Sequence, residues 1–357
     1  MRKSISMMLE ADPGIKVVAV ARDGREGIEM IRKHRPQVVT MDIEMPGMNG
    51  LDALKVIMKE MPLPVLMFSS LTTEGADATM EALNLGAVDF IPKDMSYVNV
   101  NIASKKAELI EKVRNISNTP LFRSRFRALN RTQSSSPAPA GKAPAVPRTL
   151  RTPSRRDFQA MVLGISTGGP FALLQMLPQV PGNFPLGIAI VQHMPPRFTR
   201  SLADRINSMS QLSVKEAEEG DVMLPGQVLI APGGKHLTFR KHGPEMLAHI
   251  SDMPSTTLYR PSADIMMTSA VEAYNGPLLG VIMTGMGKDG LEGLRLLKKK
   301  GGYIMAQNED SCVVYGMPKA VVDDGIADAV LPLDEIATAL YHVTTGRSHE
   351  PARAVHQ

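Results

Sequence analysis

Three apolar runs set the strongest limit on what this chain can fold into. Met161–Ile165, Leu186–Val191 and Leu278–Met283 each read as a buried strand, each runs into a turn, and each turn opens a helix-like segment. Repeated strand–turn–helix units form parallel sheets, because a parallel neighbour is reached only through a crossover. In such a sheet the turns leaving the carboxyl ends of the strands collect along one edge, where ligands bind. Here those turns carry chemistry: Ser166 follows the first run, His193 the second and Asp289 the third. A hydroxyl, an imidazole and a carboxylate at one edge are a nucleophile, a base and an orienter, so the pattern points to a hydrolase.

The local sequence supports that reading. Gly164-Ile165-Ser166-Thr167-Gly168 fits G-x-S-x-G between a strand and a helix, and Pro170 suits a first helical turn, where its missing N–H costs nothing. The plainer reading is a Gly-rich turn with a serine cap. Among eight histidines, His193 is the preferred base because it follows a clean strand and precedes two prolines; His236, after Gly233-Gly234, is its rival. Asp289 between Gly287 and Gly290 reads alternatively as a helix cap. Cys312, the one cysteine, has no partner spacing and reads as a small core residue; it also means that no internal disulfide forms, which fits a reducing compartment. The chain order Ser…His…Asp differs from the Ser…Asp…His of α/β-hydrolases, so a different fold is expected to reach the same chemistry.

The N-terminal part alternates similarly on a smaller scale. Helices are expected over 2–10, Arg25–His34, Leu51–Lys59, Glu74–Leu85 and about 101–116, and strands over Val17–Ala21, Val38–Met41, Val65–Phe68 and Asp89–Ile91. Asp42, Ser69 and Lys93 stand at or just past strand ends. A carboxylate, a hydroxyl and an ammonium there suit phosphoryl transfer to Asp42, with Lys93 offsetting the added charge; the plainer reading is a loop ion pair.

Between the two parts, residues 119–156 hold nine Lys or Arg, no Asp or Glu, and runs such as Ser134-Ser135-Ser136-Pro137. That composition cannot bury enough apolar surface to offset chain entropy and reads as a linker. Removing those nine from the 40 Lys and Arg leaves 31 against 36 Asp and Glu, so the folded parts are acidic although the net charge is +4. With no Trp and 4% aromatics, stacking platforms for nucleic acid are few. No apolar run approaches a membrane span and no charged-then-apolar leader is present, so a cytoplasmic location is expected.

The motif sets resemble known families. Val38-Val39-Thr40-Met41-Asp42-Ile43-Glu44-Met45-Pro46, Met48-Asn49-Gly50-Leu51-Asp52, Phe68-Ser69-Ser70 and Gly86-Ala87-Val88-Asp89-Phe90-Ile91-Pro92-Lys93 are similar to the receiver domain of two-component response regulators. The resemblance implies Asp42 as phospho-acceptor, Ser69 as switch hydroxyl and Lys93 as phosphate-sensing lysine. Asp94 stands where a proline usually follows that lysine. The family's first strand, with the acidic pair that joins the phospho-acceptor in binding Mg2+, has no counterpart; of the metal set only Asp42 is matched. This leads to the expectation that Met1 is internal to a longer native protein, and that Mg2+ serves receiver phosphorylation in that longer form. An absent central strand would leave neighbouring backbone groups unpaired, at about 1–3 kcal/mol for each one buried.

Gly164-Ile165-Ser166-Thr167-Gly168-Gly169-Pro170, Gln192-His193-Met194, Ala231-Pro232-Gly233-Gly234-Lys235-His236, Thr284-Gly285-Met286-Gly287-Lys288-Asp289-Gly290 and Tyr315-Gly316-Met317-Pro318-Lys319-Ala320 resemble the catalytic domain of the chemotaxis protein-glutamate methylesterase (CheB) family. This implies hydrolysis of glutamyl methyl esters on chemotaxis receptors, deamidation of selected receptor glutamines, phosphate supplied by the chemotaxis histidine kinase, and a receiver that covers the catalytic edge until phosphorylated. It maps the nucleophile, base and orienter onto Ser166, His193 and Asp289, with Thr167 and Met286 beside the nucleophile and the oxyanion. No metal is expected in the ester step.

The expected architecture is α/β throughout. A flavodoxin-like receiver (1–116) is followed by a basic Pro/Ser-rich linker (117–156), a doubly wound parallel catalytic domain (157–345) and a tail (346–357). Two alternatives stand beside the chemotaxis esterase: an esterase or amidase acting on methylated receptors outside taxis, and a receiver-controlled scaffold whose basic linker docks acidic receptors or membrane.

Overall fold

The structure is a computed structural model that describes residues 2–93, 102–117 and 157–346, in two compact units divided within the stretch 118–156. The expected linker, the tail beyond Gly346 and Asp94 lie outside the described residues.

The N-terminal unit runs α1 (Arg2–Glu10), α2 (Gly24–His34), β1 (Val39–Asp42), α3 (Gly50–Glu60), β2 (Val65–Ser70), α4 (Thr73–Asn84), β3 (Asp89–Lys93) and α5 (Ile102–Ser117). Three helices begin where a short polar side chain satisfies an end N–H. Asp23 accepts from the Glu26 N–H, Asn49 from Asp52 and Thr72 from Gly75. The strands form a parallel sheet in the order β1-β2-β3, with Asp42 beside Phe68 and Ser70 beside Lys93. Leu54, Ile57, Leu66, Met67 and Leu83 are fully buried around it.

The expected strand Val17–Ala21 does not form. Val18 and Val20 are 44% and 52% exposed, and the odd-numbered neighbours are half-buried, so the period-two pattern is real. A strand also needs a partner's N–H and C=O groups, and no strand runs alongside this segment among the described residues.

The C-terminal unit begins with β4 (Met161–Ile165), α6 (Gly169–Met176), a 3-10 turn (Leu177–Gln179), β5 (Ile188–Gln192), α7 (Phe198–Met209), β6 (Ser213–Glu216) and β7 (Gln227–Ile230). A hairpin follows, β8 (His236–His242) and β9 (Glu245–Ser251), then α8 (Ala263–Ala273) and β10 (Leu279–Ile282). The unit closes with α9 (Leu291–Lys299), β11 (Tyr303–Gln307), α10 (Met317–Asp323), β12 (Ala329–Leu331) and α11 (Leu333–Thr345). Seven strands form one sheet in the order β12-β11-β10-β4-β5-β7-β6, every pair parallel.

Within this unit the chain starts at central β4, passes to β5, crosses to the edge strand β6 and comes back to β7 between β5 and β6. It then returns past the antiparallel β8–β9 pair to β10, on the other side of β4, and winds outward again. The direction of winding therefore reverses at β4, which opens a crevice above the carboxyl ends of β5, β4 and β10. Strands β4, β5, β10 and β11 are buried at every residue, as expected for a sheet covered on both faces.

In the N-terminal unit, Lys112 of α5 ties the last helix to the strand that carries Lys93. Its Nζ donates to Asp89 Oδ2 at 2.8 Å and to the Phe90 carbonyl at 3.0 Å, and the two side chains are 12% and 4% exposed. Lys112→Met, which leaves the Asp89 carboxylate buried without its cation, should lower unfolding free energy by about 3–5 kcal/mol. Urea unfolding of the full chain measures it, and a Lys112→Met/Asp89→Leu double variant should recover most of the loss.

Candidate active site

The Ser166 turn is built by close contacts that only particular residues allow. The Ser166 N–H donates to the Thr284 carbonyl at 2.9 Å and its carbonyl accepts from Gly169 N–H at 2.7 Å. Gly168 then starts α6 with φ +75°, and a Cβ there would lie 2.5 Å from Val313 Cβ. Gly285, at the exit of β10, passes so near that a Cβ would stand 2.8 Å from Ser166 Cβ and 2.4 Å from Met317 sulfur. Both glycines are therefore needed for the turn to close. The Thr284 hydroxyl donates to the Thr167 carbonyl at 2.9 Å and accepts from Val313 and Val314 N–H, joining three loops. Thr167 itself is buried, and its N–H donates to no other described residue. Met286 is half-buried on the turn after Gly285.

His193 stands beside this turn because β4 and β5 are in register. Ile165 pairs with Gln192, and the His193 N–H donates to the Ile165 carbonyl at 3.2 Å. Gln192 fixes the join: its Nε2 donates to the Ser166 carbonyl at 3.0 Å and to the His193 carbonyl at 3.2 Å. The His193 Nε2 meets Asp289 Oδ2 at 2.8 Å, whereas Nδ1 is buried with no hydrogen-bond partner. The structure thus brings the imidazole and the carboxylate into contact, 96 residues apart in sequence, and places Ser166 at the end of the adjoining strand.

Asp289 is buried at the N-terminus of α8. Oδ1 accepts from the Ser262 hydroxyl at 2.8 Å and the Asp264 N–H at 3.0 Å, and Oδ2 accepts from the Ala263 N–H at 2.6 Å. Burial by itself would raise its pKa, but the His193 bond and these helix N–H groups outweigh burial and hold it below the usual carboxylate range. Asp264, whose N–H donates to Asp289, goes the other way: burial pushes it up to about 6, and the Asp289 charge adds to the push.

Two contributors escaped the sequence reading. Ser262 was legible as a cap, since Ser262-Ala263-Asp264 precedes an apolar-periodic run, but its second role on Asp289 was not. Tyr259 stacks on the His193 ring, with centroids 4.3 Å apart and planes 6° from parallel, and no spacing rule signals that contact. His236, the rival base, is fully buried. Its Nδ1 accepts from the Ser262 N–H and its Nε2 faces the Pro254 carbonyl, both ring nitrogens being spent on backbone. Burial holds its pKa below the ordinary histidine value. Cys312 is buried, and burial pushes its thiol far up, out of the nucleophilic range.

In the N-terminal unit, Lys93 Nζ lies 2.5 Å from Asp42 Oδ1 and 3.0 Å from Glu44 Oε2. Burial works against the Lys93 charge, but the two carboxylates more than offset it and its pKa is raised. The Ser69 hydroxyl does not join this pair: it is buried and donates to the Gly75 carbonyl at 2.8 Å. Ser70 points to the same sheet face as Lys93, and its hydroxyl reaches Glu44 at 3.3 Å. For Mg2+, these residues offer Asp42 and Glu44, both already engaged by Lys93, and no group of three ligating side chains exists among the described residues. The described residues do not make up that site.

The depressed pKa of Asp289 gives a pH signature. Its stabilising contribution is complete above the unfolded value of about 3.9 and is lost as pH falls through the lower folded value. Asp289→Asn should therefore destabilise the protein at pH 7, with a deficit that narrows below about pH 4. Urea titrations at pH 7, 4 and 3 test this, and a constant deficit contradicts it.

Comparison with known proteins matches these units. The CheB methylesterase family matches residues 161–340, and the response regulator receiver domain matches residues 1–103. The chain is 49% identical over 363 residues to protein-glutamate methylesterase/protein-glutamine glutaminase 1 of Oleidesulfovibrio alaskensis, covering 95% of each. It is 44% identical to protein-glutamate methylesterase/protein-glutamine glutaminase of Pyrococcus abyssi, over 94% of this chain and 88% of that one. The crystal structure of the Thermotoga maritima CheB methylesterase catalytic domain covers 52% of this chain and 98% of its own, at 43% identity and a TM-score of 0.51. With its receiver and its Ser166, His193 and Asp289 turns on a doubly wound sheet, this chain belongs to the protein-glutamate methylesterase/protein-glutamine glutaminase family.

Proposed function

We propose that this enzyme, a hydrolase, removes methyl groups from glutamyl esters of methyl-accepting chemotaxis receptors, releasing methanol, and deamidates selected receptor glutamines. Its activity is regulated by receiver phosphorylation. The observation that best supports the reading is the state of His193: one ring nitrogen bound to a buried carboxylate, the other buried, unpartnered, and beside the strand that ends at Ser166.

Ser166 Oγ attacks the ester carbonyl carbon while its proton passes to His193 Nδ1. Asp289 stabilises the imidazolium through Nε2 without taking the proton. The Thr167 N–H and the Met286 turn hold the oxyanion. Collapse breaks the ester C–O bond, and methanol leaves with the proton returned by His193. Water, deprotonated by the same nitrogen, then attacks the acyl-enzyme and releases glutamate and Ser166. A glutamine substrate follows the same path with ammonia as leaving group.

The receiver spans 1–116, the linker 117–156, the catalytic domain 157–345 and the tail 346–357. Asp42 accepts a phosphoryl group from the chemotaxis histidine kinase and Lys93 offsets the added charge. The Ser69 hydroxyl exchanges the Gly75 carbonyl for a phosphoryl oxygen, loosening the first turn of α4. No helix among the described residues is long and apolar enough to cross a membrane. The proposed site of action is the cytoplasm, on the receptors. The reading requires no nucleic acid.

Ser166→Ala should lower methanol release from methylated receptor by about 10^4-fold. Asp42→Asn should keep the unstimulated rate but lose all stimulation by a small phosphodonor. Gas chromatography of methanol reads both; undiminished release by Ser166→Ala removes the proposed nucleophile.

A further inference from the structure

The segment from Pro254 to Ser262 has no regular structure, yet it is held at both ends by one buried side chain. His236 accepts from the Ser262 N–H through Nδ1 at 3.3 Å, and its Nε2 meets the Pro254 carbonyl and the Thr257 hydroxyl, each at 3.2 Å. Gly234 N–H adds a bond to the Arg260 carbonyl at 3.1 Å. The fixed segment returns two side chains to the crevice. Ser262 donates to Asp289, and Tyr259 lies flat on the His193 ring at 4.3 Å.

An imidazole held only through Nε2 can still swing about that bond. A swing takes Nδ1 out of line with a neighbouring hydroxyl, and proton transfer tolerates little misalignment. A parallel aromatic face blocks the swing on one side.

We propose that Tyr259 is a positioning residue for the hydrolysis: its ring face fixes the plane of the His193 imidazole so that Nδ1 stays turned toward Ser166. This rests on the reading of Ser166 and His193 given above. The function belongs to the ring, not to the phenol hydroxyl, and the His236-held segment supplies the rigidity.

The test compares Tyr259→Phe and Tyr259→Leu in the full chain with methylated receptor as substrate, alongside the His193 ring proton resonances. Phe should keep kcat within about threefold and preserve the upfield ring-current shift of His193. Leu should lose that shift and lower kcat by about 10–100-fold, with KM within about twofold. Three results overturn the proposal: a Leu variant with full kcat and no ring-current shift, equal losses for Phe and Leu, or a Leu loss confined to KM. A fall in kcat with the thermal midpoint collapsed and no rescue by Phe also counts against it. Failure of the underlying reading shows separately, as methanol release that survives Ser166→Ala while the ring-current result stands.

Discussion

The catalytic unit depends on a carboxylate buried where bulk water cannot solvate it. An unpaired buried charge costs several kcal/mol, so Asp289 requires partners in fixed places. The N-terminus of α8 supplies two backbone N–H groups, Ser262 supplies a hydroxyl, and His193 takes the remaining direction. This single arrangement keeps Asp289 ionised, chooses which imidazole nitrogen faces it, and leaves the other nitrogen without a hydrogen-bond partner. Helix α8, the Gly287–Gly290 turn and the end of β5 are thereby locked to one another.

Topology makes that lock possible. The winding reverses at β4, so strands β5, β4 and β10, widely spaced in sequence, become neighbours with their carboxyl ends together. Their turns then need close approach. Gly285 against Ser166 and Gly168 against Val313 permit it, and Thr284 and Gln192 spend their polar atoms holding the three turns in place. The crevice is thus a property of loop contacts above a rigid, fully buried sheet floor.

The N-terminal unit shows a simpler balance. Asp42, Glu44 and Lys93 form a partly buried cluster in which one cation serves two carboxylates. In the proposed phosphorylated state, added negative charge on Asp42 would redistribute that cation. The Ser69 hydroxyl, spent on the Gly75 carbonyl, ties the same strand end to the start of α4.

Most of the fold, and where the candidate site residues stand in it, was legible in the sequence. Parallel α/β order, the strand ends and the turns bearing Ser166, His193, Asp289, Asp42 and Lys93 follow from apolar runs and glycine positions, because side-chain period and backbone freedom are local properties. What the sequence left open needed partners distant along the chain. Val17–Ala21 has a strand pattern but no neighbour to bond. His236 looked like a rival base until its ring was seen spent on backbone. The direction of the Ser69 hydroxyl and the Tyr259 stack carry no periodic signal. The sequence by itself determined which residue types stand after which strands. Only the tertiary structure decided which of them meet, which nitrogen of His193 is engaged and which stays open, because those depend on packing and burial among segments that no local pattern connects.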